Sequence, residues 1–166
     1  MWPRFTRLCE AGKLAPSRLD SNIRSGYDRG MRAISAAVGY AADDAGNGVA
    51  YVRIMLQEPR VLRVAFRVQR QPALLDREVG YAALTSVCEA VRRRGFERVR
   101  FLIDDAHLRA DLRRRDDNLP PPLALPYVRL GCALNQFRRY EIAAMPASEA
   151  DLAARARSEV ALHVAA

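Results

Sequence analysis

From Ala33 to Tyr40 the chain is small and apolar, and from Val49 to Leu56 it is rich in strand formers. Between them Ala-Asp-Asp-Ala-Gly-Asn-Gly gathers turn formers, so the two runs predict a hairpin. After Gln57-Glu58-Pro59, the stretch Arg60 to Gln69 alternates Leu62, Val64, Phe66 and Val68 with Arg63, Ala65 and Arg67. That period of two predicts an amphipathic strand with one basic face, and the short links make the three segments an antiparallel meander.

Beyond Pro72 the period changes. Val79, Ala83, Val87 and Val91 are spaced by four, with Leu84 and Cys88 beside them, which predicts a helix over 76–94 closed by Gly95. Arg98 to Ile103 (RVRFLI) reads as a buried strand stopped by Asp104-Asp105, and a short helix follows over 107–115. The segment 116–126, with three consecutive prolines, reads as a loop. A further helix is predicted over 127–137, with Val128, Cys132 and Phe137 to one side. A last strand covers 140–144, and a terminal helix capped by Ser148 runs to about His163. The order β-β-β-α-β-α-α-β-α predicts an α/β fold: a five-stranded mixed sheet, a three-strand antiparallel meander then αβαβα, with helices on its faces.

Residues 1–31 are different: basic, broken by Gly12, Pro16, Gly26 and Gly30, and without alternation. They read as a basic N-terminal extension, with a short helix over 16–27 as one option, and 32–166 as the domain. The whole chain of 166 residues carries 27 basic against 19 acidic residues, a formal charge of +8. Lys13 is the single lysine, an arginine bias that a GC-rich genome also produces. No apolar run is long enough to span a bilayer, and the start lacks the apolar core of a secretion signal. Cys9, Cys88 and Cys132 are odd in number and far apart, which argues against a disulfide framework or zinc ribbon and for a reducing, cytoplasmic setting.

Three stretches carry a resemblance. Asp76-Arg77-Glu78-Val79-Gly80-Tyr81-Ala82-Ala83-Leu84 is similar to a helix start written N-N-E-A-E-Y-x-A-L. Val99 to Asp105 is similar to a strand ending in Asp-Ser, and Ser148-Glu149-Ala150-Asp151-Leu152-Ala153 to a terminal A-D-x-L-A helix. In this order and spacing, over roughly 33–160, the chain resembles the ribonuclease H family. The resemblance implies that family's fold and an edge where four carboxylates hold two divalent metals, Mg or Mn, about 4 Å apart for phosphodiester hydrolysis.

The implied acids are only partly present. Val38-Gly39-Tyr40 stands where the first would end a strand as Asp-Gly-Ser, and Gly80 stands at the second. Glu78 lies two residues earlier, about 200° round a helix. Asp104 matches the third, with Asp105 beside it, and Asp151 aligns with the fourth if the last motif has lost a residue; otherwise Ala150 takes the place. The resemblance therefore implies a degenerate member, with Asp104 and Asp151 as metal ligands and Glu78 as a third catalytic acid if any activity persists. Asp43 and Asp44 could bend towards Asp104, but turn chemistry accounts for them.

The remaining signal is arginine. Arg92-Arg93-Arg94 and Arg113-Arg114-Arg115 close two predicted helices, where cations complement the dipole. With Arg63 and Arg67 on one strand face, and Arg138-Arg139, they exceed what capping requires; solvated surface charge is the competing account. Nucleic-acid phosphate is the matching polyanion. The expected function is binding of an RNA/DNA hybrid or structured RNA without efficient hydrolysis. A metal-dependent ribonuclease H-type endonuclease with a rearranged acidic site is the alternative. A protein-interaction or homodimerisation module, built on the alanine-rich terminal helix, is the third option. The tyrosines form no stacking motif, and His107 and His163 show no acid-base partner.

Overall fold

The computed structural model describes residues 33–68, 75–113 and 119–164, so the expected N-terminal extension, Arg114 and Arg115 lie outside the described residues. Three strands form the meander: β1 (Ile34–Ala42), β2 (Asn47–Met55) and β3 (Arg60–Arg67). The helix α1 (Leu75–Arg92) leads to β4 (Arg98–Ile103), and α2 (Ala106–Arg113) follows. Then come α3 (Ala124–Leu134), β5 (Arg139–Ala144) and α4 (Asp151–Val164). The sheet order is β3-β2-β1-β4-β5, with β1 antiparallel to β2 and parallel to β4, and β4 parallel to β5. The five-stranded mixed sheet is therefore as expected.

Central β1 explains its own composition. Ile34, Ala36 and Val38 face the main core with α1, while Ala37 faces a smaller cluster with Leu152 and Ala156 of α4. A strand buried on both faces reads as continuously apolar, as this one does. The α1 stripe Val79, Ala83, Leu84, Val87, Cys88 and Val91 is buried throughout. Gly95, at φ +83°, closes the helix with its N–H 2.8 Å from the Arg92 carbonyl oxygen. In the first hairpin the Asp43 carboxylate accepts the Asn47 N–H at 2.8 Å, and Gly46 takes φ +83°.

Three local expectations need correction. Helix α3 starts at Ala124, three residues early, because Pro126 falls in the first turn, where its missing N–H has no intrahelical partner to lose. Its buried face is Leu130 and Leu134, reinforced by Leu123 and by Phe137 beyond its end, while Val128 and Cys132 are exposed. Ser148 does not cap the terminal helix; it lies within a 3-10 turn, Ala147–Glu149, that precedes α4. Among the described residues no helix is long and apolar enough to cross a membrane.

Gly39 sets how closely α4 approaches β1. A Cβ there would lie 2.2 Å from the Ala153 nitrogen and 2.4 Å from the Leu152 carbonyl carbon, both backbone atoms. Gly39→Ala is expected to lower unfolding stability by about 3 kcal/mol through forced separation of helix and strand, measurable by urea unfolding.

Candidate functional site

The candidate edge lies at the C-terminal ends of β1 and β4. Tyr40 stands two residues beyond Val38, which pairs in register with Ile103, and its phenol donates to Asp105 Oδ2 at 2.9 Å. Asp105 has a second duty: its Oδ1 accepts the Leu108 N–H at 2.9 Å, capping α2. Gly80 of α1 faces this pair. A Cβ at Gly80 would lie 2.7 Å from the Tyr40 hydroxyl and 3.1 Å from Asp105 Oδ2. The place where the resemblance implies a second carboxylate is thus filled by a phenol. Burial, then the charge of Asp105, raise the Tyr40 pKa far above the ordinary phenol range, so the hydroxyl stays a proton donor. Asp104 adds to that rise and is itself exposed.

The other expected acids lie elsewhere. Glu78 is buried on α1. Asp151 opens α4, exposed, and its carboxylate takes both guanidinium nitrogens of Arg53 (β2), at 2.7 and 3.3 Å. Arg53 also pairs with buried Glu149. Further along α4, Glu159 accepts from Arg63 and from the Tyr51 hydroxyl, and Arg155 lies 4.2 Å from the Tyr51 ring centroid. Arg53 holds the Asp151 carboxyl below its ordinary range, and Arg63, then Tyr51, do the same for Glu159. Among the described residues no three His, Cys, Asp or Glu side chains come together as a metal site. That donor set does not fit the pair of divalent cations that the resemblance implies.

A second polar cluster ties α1 to α2. Arg77 reaches both Asp111 oxygens at 2.6 Å, and the buried Tyr81 hydroxyl donates to Asp111 at 2.8 Å. Burial and Asp111 raise the Tyr81 pKa. Tyr81 is therefore a core phenol.

The arginines fall into two groups. Arg63 is neutralised by Glu159, on the sheet face that α4 covers. Arg67, Arg92, Arg113, Arg138 and Arg139 are exposed. Arg93 is exposed and pairs with Glu89 at 3.3 Å, and Arg94 donates to the Ala90 carbonyl at 2.8 Å. His107 is exposed, and His163 Nδ1 lies 2.9 Å from the Glu159 carbonyl oxygen. Sequence reasoning passed over Tyr40, Arg53, Glu149 and Glu159. The available signal was parity: Tyr51 and Arg53 share one β2 face, opposite the acid-rich start of the last helix.

No family model and no curated protein matches the chain. Solved structures do. The chain is similar to the ribonuclease H1 of the halophilic archaeon Halobacterium salinarum, at 18% identity and TM-score 0.62, covering 78% of this chain and 97% of that one. The N-terminal ribonuclease H domain of a Mycobacterium tuberculosis protein matches at 14% and 0.57, covering 75% and 95%. LC11-RNase H1, isolated from compost by a metagenomic approach, was solved in complex with an RNA/DNA hybrid; it matches at 11% and 0.52, covering 75% and 91%. The chain has a ribonuclease H-like fold.

Tyr40→Phe is expected to cost about 1–3 kcal/mol, since Asp105 loses a partly buried donor. Gly80→Ala should cost less in that background than in the parent, with a coupling of about 1 kcal/mol, because the closest atom is gone; urea unfolding of the double-mutant cycle reads both. The α4 pairs respond to acid. Asp151 and Glu159 have folded pKa values below the ordinary 3.8 and 4.5. Their contribution is complete above about pH 5 and lost as pH falls through the folded values. Thermal melts should show that acid limb, flattened in Arg53→Met and Arg63→Met.

Proposed function

We propose that this chain binds nucleic acid, an RNA/DNA hybrid or structured RNA, without efficient hydrolysis. The observation that carries the reading is the Tyr40 phenol, set against Gly80 and bonded to Asp105, on the edge where a ribonuclease H-like frame would gather carboxylates. Exposed Arg67, Arg92, Arg113, Arg138 and Arg139, and the net charge of +8, supply attraction for phosphate. An RNA-containing duplex would be recognised through backbone shape and charge, with little sequence preference.

The test is fluorescence anisotropy and gel analysis of a labelled RNA/DNA hybrid, with and without magnesium or manganese, using the parent and Asp104→Asn. The expected result is binding that weakens steeply with salt, no cleavage, and the same behaviour in the variant. Metal-dependent cleavage abolished by Asp104→Asn would overturn the reading and favour an endonuclease with a rearranged acidic set. Absence of binding, with mass rising with concentration, would favour a self-association module.

A further inference from the structure

Four arginines without carboxylate partners, Arg92, Arg98, Arg138 and Arg139, lie close together at the N-terminal ends of β4 and β5. Arg53, Arg63 and Arg77 are neutralised by Glu149, Asp151, Glu159 and Asp111. At the N-terminal end of the parallel strands the pattern reverses. Arg98 of β4 stands directly beside Arg139 of β5, whereas the next pair on that face, Arg100 and Glu141, is compensated at 3.3 Å. Neighbouring strands lie about 4.8 Å apart, and like charges directly opposite each other are destabilising. Among the described residues no carboxylate pairs with Arg92, Arg98, Arg138 or Arg139.

Two of these side chains also border a concavity. Arg92 and Arg138 line a shallow cleft of about 430 Å³ together with Phe96 and Gln136, and Glu97 is the one carboxylate on its wall. The Arg139 N–H bonds the Glu97 carbonyl at 3.2 Å, joining the chain before β4 to the start of β5. Guanidinium groups beside an aromatic ring and an amide suit a sugar–phosphate backbone: paired donors for phosphate, an apolar face for the sugar. The six residues of β4, at about 3.3 Å each, separate this end from the Tyr40–Asp105 edge.

We propose that the end of the sheet carrying Arg92, Arg98, Arg138 and Arg139 is the surface on which the nucleic-acid backbone docks, opposite the Tyr40–Asp105 edge. This rests on the nucleic-acid reading above and adds its location. A duplex held there is gripped without using the edge where carboxylates are missing. The anion that binds also relieves the Arg98–Arg139 repulsion.

The test compares Arg138→Glu/Arg139→Glu with the charge-matched control Arg60→Glu/Arg157→Glu, whose side chains are exposed on β3 and α4. Anisotropy with a labelled RNA/DNA hybrid is measured across a salt series, and circular dichroism melts verify folding. The Arg138/Arg139 variant is expected to raise Kd about tenfold or more and to lower the log–log salt slope by about 2, with the control near the parent. If the parent binds and both variants weaken equally, binding follows net charge and the location is overturned while the nucleic-acid reading stands. If the parent does not bind, that reading falls and the docking surface with it.

Discussion

The architecture depends on a single strand being covered from both sides. β1 uses Ala36, Ala37 and Gly39 because a helix approaches each of its faces, and α4 comes so near that its backbone occupies the space of a Gly39 side chain. That approach carries Glu149, Asp151 and Glu159 onto Arg53 and Arg63 of the meander. Pairs as exposed as Asp151–Arg53 contribute little net stability. Leu152 and Ala156, fully buried, supply the attraction, while the ion pairs set how the helix is turned and where it starts.

On the other face the same strand carries Tyr40 near its end, and here packing decides chemistry. A carboxylate cluster needs bound cations to offset its own repulsion. A phenol bonded to one carboxylate needs none: the hydroxyl supplies the proton, Asp105 accepts it, and Gly80 leaves the space. The pair fastens the end of β1 to the first turn of α2. This edge consequently acts as a structural joint.

Long periodic elements were legible from residue order alone. The α1 stripe and the alternation of β3 fixed the elements they belong to, and the βαβ pattern then implied the sheet. Residues near prolines were harder, since Pro126 reads as a break yet sits within a helix's tolerant first turn. The candidate site was half legible. Gly80 and Asp104-Asp105 pointed to this edge, but nothing local announces that Tyr40 and Asp105, 65 positions apart, are hydrogen-bonded. Arg63 looked like a free cation because its partner lies on α4, far along the chain. Such pairings depend on which faces the topology brings together, and strand order had to be known first.

Asp105 serves two neighbours at once, and that shared use limits how this fold can change over evolutionary time. Introducing a side chain at Gly80 collides with the Tyr40 hydroxyl, and removing the hydroxyl strips a partner from the residue that starts α2. Losing the hydroxyl is costly by itself, whereas a side chain at Gly80 becomes easier to accept once the hydroxyl is gone. The Tyr40–Gly80–Asp105 arrangement therefore acts as an interlock: what one of the three positions tolerates is set by the side chains at the other two.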